Sequence, residues 1–218
     1  VESAVAVSGI GGASRPGGPG GRAEPRGQGG PPIPPEAAHL RLRPPCPQDG
    51  PVLWELARSA GGLDVNSPYA YLLLCRSFAQ TCVLAEYGPR AVGFLSAFRE
   101  PERPDTVFVW QIAVAPAHRR RGLGSALLRD LLGRPPCTGV RYLEATVTPG
   151  NGASRALFQG LAAACGTVCR AGGGFPRHLF PGPAHEPEVL LRIGPLPLPG
   201  ASVGVGPDGR LKEDAHAG

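Results

Sequence analysis

The sequence predicts one α/β (α+β) domain over residues 39–195, a mixed sheet with helices packed on it. Two observations carry that prediction. Stretches with strand character alternate with stretches of 3.6-residue apolar period, which is the pattern of strands and helices sharing one core. The hydrophobic fraction of 42% is enough to build that core, because the two ends contribute little to it. Residues 1–38 are dominated by Gly and Pro (GGASRPGGPGGRAEPRGQGGPPIPPE) and residues 196–218 are again rich in both. Such segments bury too little apolar surface to offset their ordering entropy, so both are expected to be flexible tails.

Each element follows from local pattern. HLRLR (39–43) alternates as a strand, and Gln48 to Ala60 reads as a helix. PYAYLLLCRSFA (68–79) is a second helix with Pro68 in its first turn, where the missing N–H does no harm. TCVLAE (81–86) and AVGFLSAF (91–98) form a hairpin across Tyr87-Gly88-Pro89-Arg90. TVFVWQIAV (106–114) is a long buried strand, and Gly122–Leu132 is a helix. VRYLEATV (140–147) is the next strand. A helix over Asn151–Ala164 carries the stripe Ala153, Ala156, Leu157, Gly160, Leu161, Ala164, and EVLLRI (188–193) is the last strand.

Composition narrows the function. A formal charge of +5 favours an anionic partner only weakly, since the positive residues do not gather in long blocks. Apolar runs fall short of the roughly 20 residues a membrane span needs, and no signal-peptide core is seen. The six cysteines (46, 75, 82, 137, 165, 169) make no CxxC pair and no zinc spacing, so no metal is expected. Several stand in apolar surroundings, which reads as reduced thiols in a cytoplasmic protein.

VAPAHRRRGLGSALL (114–128) is where chemistry shows. A buried strand ends at Ala115-Pro116, and Arg119-x-x-Gly122-x-Gly124 leads into a helix. The first N–H groups of a helix lack internal partners and carry the positive end of its dipole. Glycines let a phosphate approach them closely. A Rossmann fingerprint fails here for want of a third glycine, and a Walker loop for want of any Gly-Lys pair. A plain solvated turn and a nucleic-acid patch remain as other readings, the second without basic–aromatic interleaving to support it.

V-x-P-x-x-R-x-x-G-x-G before an apolar helix resembles the acetyl-CoA pyrophosphate loop of the GCN5-related N-acetyltransferases, the GNAT family. The order of elements around it agrees. LDVNSPYAYLLLC (63–75), PERPDTVFVWQIAV (101–114), YLEATVTPGNGASRALF (142–158) and HEPEVLLRIGPL (185–196) resemble, more specifically, the diaminobutyrate acetyltransferases of ectoine biosynthesis. The resemblance implies a GNAT fold: a central twisted mixed sheet of about six to seven strands with about four helices. It implies transfer of acetyl from acetyl-CoA to the γ-amino group of L-2,4-diaminobutyrate, directly and without an acyl-enzyme, in a cytoplasmic homodimer making an osmoprotectant precursor. No nucleic-acid or membrane partner is expected. The alternatives are a GNAT enzyme for another small amine, such as an antibiotic or polyamine, and a non-catalytic acyl-CoA-binding module.

Carried over residue by residue, the donor side comprises the backbone of Ile112, Ala113 and Val114, the loop residues Arg119, Arg120, Gly122, Leu123 and Gly124, and Asn151. Arg121 reads as solvated charge, and Asn151 is equally a helix N-cap. The acceptor side comprises Asp64, Tyr69, Trp110, Glu144, His185 and Glu188. Their plainer readings are a capping residue for Asp64, core filling for Trp110, an ion pair for Glu144 and a loop polar pair for His185 and Glu188. An alkyl ammonium with pKa near 10.4 is neutral in only about one molecule in 10³ at pH 7, so a general base helps. Glu144 is the first candidate for that base and His185 the second. The helix position where many family members place a Tyr, the acid for the leaving thiolate, holds Phe158; Tyr142, a water or the substrate ammonium are the substitutes.

Overall fold

A computed structural model describes residues 39–61, 63–181 and 185–197. The expected tail 1–38, and residues 198–218 of the C-terminal one, lie outside the described residues. The chain forms β1 (Leu40–Arg43), α1 (Gly50–Ala60), α2 (Pro68–Ser77), β2 (Val83–Tyr87), β3 (Arg90–Arg99) and β4 (Thr106–Val114). α3 (Leu123–Leu132), β5 (Tyr142–Val147), α4 (Gly152–Ala164), β6 (Cys169–Phe175) and β7 (Glu188–Ile193) complete it. The sheet runs β1-β2-β3-β4-β5-β7-β6. β4 and β5 are parallel, joined across α3, and the other neighbours are antiparallel.

Strand alternation sorts the core into two layers. Ile112, Val114, Leu143, Ala145 and Val147 point to α3 and α4, with Leu127, Leu128, Leu131 and Phe158 against them. Leu84, Phe94 and Ala113 point the other way, to Leu53, Ala57, Tyr71 and Leu74 of α1 and α2. Tyr71 meets Phe94 edge-on at 6.1 Å between centroids. Leu196 also packs in the core, its N–H bonded to the Arg141 carbonyl at 2.7 Å.

Three local expectations change. The helix expected from Gln48 opens with a short 3-10 turn over Pro47–Asp49, in which Asp49 accepts from the Cys46 N–H. α4 buries Ser154, Phe158, Leu161 and Ala162, so of the expected stripe Leu161 is buried and Leu157 packs partly against the core, while Ala156, Gly160 and Ala164 face outward. The bulk of Phe158 turns the helix: its full burial outweighs that of the small residues one step away. β6 (CRAGGGF) has no counterpart among the strands expected from sequence. Its three glycines and exposed side chains hide it from periodicity, and it forms because β7 offers it a pairing edge.

Candidate active site

The donor half is built where two strands part. β4 pairs with β5 only from Thr106 to Val109, while its other edge stays on β3 as far as Val114. A bulge marks the separation: Ser96 faces Gln111 and Ala97 faces Val109, which leaves Trp110 as the extra residue. Past it the β5-side edge of β4 is open. The Ala115 N–H donates to the Val92 carbonyl at 2.8 Å, so by alternation Ala113 also faces β3. The backbone groups of Ile112 and Val114 therefore turn into the gap. Of the three backbone positions expected there, two point the right way and Ala113 belongs to the ladder.

The loop after β4 completes that half. Arg120 has φ 58° and Gly122 φ 75°, so the chain turns twice through the left-handed region before α3. Gly122 occupies the N-cap of α3 and brings no side-chain cap, whereas Ser67 caps α2 and Asn151 caps α4. A Cβ at Gly122 would meet nothing within 4 Å, so open space lies before the helix end. These features fit a pyrophosphate held by main-chain N–H groups. Leu123 buries its side chain, leaving its N–H for that task. Gly124 has a packing reason: a Cβ there would stand 3.2 Å from Leu157 of α4.

Arg119 departs from its expected role. Its Nε donates to the Val114 carbonyl at 3.1 Å and its Nη2 to the Ala60 carbonyl at 2.5 Å. The guanidinium is thus engaged with main chain on both sides. Arg120 and Arg121 are the exposed cations of the loop, and Arg121, read from sequence as solvated charge, is close enough to depress His118. Burial is the larger cause of that His118 shift. Asn151 is an N-cap in fact, its Oδ1 accepting from the Ser154 N–H at 3.0 Å.

The acceptor half joins residues far apart in the chain. His185 Nε2 lies 2.8 Å from Asp64 Oδ2, and its Nδ1 2.5 Å from the Glu186 carbonyl. Its ring stacks on Phe180 at 3.9 Å between centroids. Glu186 accepts from the Gly150 N–H at 3.0 Å, which anchors this segment beside the turn into α4. Burial alone would lower the His185 pKa, but the Glu186 carbonyl, Asp64 and the charge of Glu188 together raise it above its ordinary value. An acceptor beside each ring nitrogen stabilises the imidazolium relative to the neutral ring. Glu188 is 3% exposed and Trp110 half-buried against the α1/α2 layer. Tyr69 stands 66% exposed at the start of α2, and no contact brings it to the others.

Glu144 is in a different setting. Arg103 grips it with two bonds of 2.7 Å, and Arg192 of β7 donates to its Oε1. Arg192 in turn lies over the Tyr142 ring at 3.8 Å. Two guanidinium partners hold the buried Glu144 carboxyl below its ordinary range despite the opposing effect of burial. A carboxylate held this way is a poor proton acceptor, and the ion pair is the one of the two expected arrangements that the geometry displays. Tyr142 is likewise a poor candidate for the thiolate acid, since it pairs with Thr106 at the closed end of β4 and β5.

Several residues of this region carry no clear mark in the sequence. Gln111 is fully buried, donates from Nε2 to the Asp64 carbonyl at 2.9 Å, and donates its own backbone N–H to the Ser96 hydroxyl at 3.1 Å. A lone amide inside TVFVWQIAV was the available signal. Phe180, Arg103 and Arg192 lacked one, since their partners depend on register.

The model of the acetyltransferase (GNAT) family matches residues 51–162. An L-2,4-diaminobutyric acid acetyltransferase of Halalkalibacterium halodurans is 50% identical over 152 residues, 70% of this chain and 80% of the relative. One of Shouchella clausii is 48% identical over 157 residues, 72% of this chain and 88% of its own. The structure of the Paenibacillus lautus diaminobutyrate acetyltransferase, in complex with its substrate L-2,4-diaminobutyric acid and coenzyme A, superposes with a TM-score of 0.71 at 46% identity, covering 73% of this chain and 96% of that one. At 17% identity and a TM-score of 0.56, the Escherichia coli ribosomal-protein-S18-alanine N-acetyltransferase shares the fold. With parted strands, an uncapped helix end and relatives of this kind, the chain belongs to the acetyltransferase (GNAT) family, in the group of the L-2,4-diaminobutyric acid acetyltransferases.

Proposed function

We propose that this protein transfers the acetyl group of acetyl-CoA to the γ-amino group of L-2,4-diaminobutyrate, giving N4-acetyl-diaminobutyrate, the precursor cyclised to the osmoprotectant ectoine. The observation that carries the reading is the meeting of two half-sites at one strand. β4 opens its edge at Ile112 and Val114 beside the α3 terminus, and its Gln111 holds the loop that bears Asp64. Thioester and amine thus approach from adjoining sides, as direct transfer requires.

The N–H groups at Gly122, Leu123 and Gly124, with the cations of Arg120 and Arg121, hold the pyrophosphate. Acetyl-CoA supplies the activated carbonyl. The main-chain N–H groups of Ile112 and Val114 are the donors for the pantetheine arm and for negative charge developing on that carbonyl oxygen. Asp64, Trp110 and Glu188 hold the ammonium groups of the acceptor, a carboxylate and a ring face being natural partners for such cations.

With Glu144 tied in its ion pair, His185 is the proposed base. A substrate ammonium docking at Asp64 competes for the carboxylate that favours the imidazolium, and like charge then lowers the His185 pKa. The ring loses its proton to solvent and accepts one from the amine. The amine nitrogen bonds to the carbonyl carbon, the carbon–sulfur bond breaks and CoA leaves as thiolate; the second proton of the attacking nitrogen passes through water to that thiolate, because Phe158 is buried and has no proton to give.

Residues 39–195 form the catalytic domain in this reading. The free thiols and an intracellular acyl donor support a cytoplasmic setting, and the family resemblance supports a homodimer, which light scattering would test. The activity test is incubation with acetyl-CoA and a panel of diaminobutyrate, ornithine, lysine and polyamines. The reading requires diaminobutyrate to be preferred and acetylated at the γ-nitrogen by NMR. Equal use of the panel would make it a general amine acetyltransferase, and tight CoA binding without turnover a binding module.

A further inference from the structure

Arg119 sits in the loop that receives the pyrophosphate, yet its guanidinium bridges two main-chain carbonyls that belong to different halves of the site. Val114, the last residue of β4, has a carbonyl turned into the gap left by β5, and Arg119 Nε takes it at 3.1 Å. Ala60 is the last residue of α1, where helical carbonyls have no internal partner, and Arg119 Nη2 takes its oxygen at 2.5 Å. A cation at that point also complements the negative end of the α1 dipole.

The segment after Ala60 gives the bridge its meaning. Gly61 turns the chain out of the helix with φ 65°, and Asp64 comes four residues after Ala60. The same stretch is tied at three further points: Asp64 Oδ2 meets His185 Nε2 at 2.8 Å, Gln111 Nε2 donates to the Asp64 carbonyl at 2.9 Å, and the Asn66 N–H donates to the Tyr71 hydroxyl at 3.4 Å. Leu63, 9% exposed, seats it in the α1/α2 layer. Two of these four ties, from Gln111 and from Arg119, come from the strand and loop of the donor half.

We propose that Arg119 is a positioning residue for the acceptor, setting the segment that carries Asp64 against the thioester end of β4, and that it is not a side-chain ligand of the pyrophosphate. The proposal rests on the acetyltransferase reading above. Misplacement of a reacting group by about 1 Å can cost on the order of 10²-fold in rate, so loss of the bridge falls on acetyl transfer to the amine.

The test uses the full chain with Arg119→Lys and Arg119→Gln. Lysine keeps the charge but reaches one carbonyl at a time; glutamine loses the charge. The expected result is a fall of about 10- to 100-fold in kcat/KM for diaminobutyrate, smaller for lysine than for glutamine. The Kd for CoA by titration calorimetry should move by less than about threefold. Hydrogen exchange should accelerate in the peptide spanning residues 60–67 in both variants. A Kd for CoA raised tenfold or more, with diaminobutyrate KM and exchange at 60–67 unchanged, overturns the proposal. If the parent protein does not acetylate diaminobutyrate, the functional reading fails by itself, and CoA affinity with exchange still decides the role of Arg119. Should the glutamine variant not fold, the lysine variant gives the same three readouts.

Discussion

Replacing Glu144 with Gln separates a structural carboxylate from a catalytic one. The side chain is 2% exposed and meets both Arg103, 44% exposed, and Arg192, 34% exposed. Removing one member of a fully buried ion pair costs roughly 3–5 kcal/mol, chiefly because the other charge is stranded out of water. Here the stranded groups are guanidinium ions that solvent reaches, so the penalty falls toward the range of exposed pairs, and we expect about 1–2 kcal/mol. For a domain of this size that is a drop in melting temperature of about 3–6 °C. kcat, followed by chromatographic assay of released CoA, should stay within about threefold of the parent. The pH dependence has a definite sign. The arginines hold the folded pKa of Glu144 below its ordinary 4.5, so its stabilisation is present above 4.5 and lost as pH falls through the lower folded value. The stability gap between parent and variant should therefore close only in that acid range. A loss of 100-fold or more in kcat with an unchanged melting temperature would refute this reasoning and return Glu144 to the role of base.

Asp64→Asn removes a partner that raises the pKa of His185, so the rising limb of kcat/KM against pH, which reports the free enzyme, should move to lower pH; a limb that stays in place excludes His185 as the base. Asn151→Ala removes the cap on the Ser154 N–H and should cost about 1 kcal/mol, most of it restored by Ser; a melt that shows no loss would mean the cap carries no stability. Burial pushes the thiols of Cys75 and Cys82 up to about 12, whereas Cys46 is exposed, so a thiol reagent at neutral pH should modify Cys46 at once and the other two only after unfolding. Mass mapping of the modified peptides checks the order.

Local pattern was enough for the order of the main helices and strands other than β6. The apolar run of TVFVWQIAV, that of LLRDLL, Pro68 in the first turn of α2 and the cap at Asn151 act within a few residues, so they are legible without a partner. The donor loop was legible for the same reason, since φ-positive glycine and a helix start are local facts. Tertiary structure decided the roles of charged side chains. Glu144 and Arg192 are 48 residues apart and meet because β5 and β7 pair in one register, and Asp64 and His185 meet across 121 residues. Arg119 fitted a motif by position, yet its direction depends on two carbonyls, one of them 59 residues away. β6 exists because β7 lends it an edge, not because CRAGGGF prefers to be a strand. Periodicity and turn chemistry are short-range and survive in the bare sequence. The pairing of a charge is settled only when strands choose their neighbours, and at that step Glu144 met two arginines and Arg119 met two main-chain carbonyls.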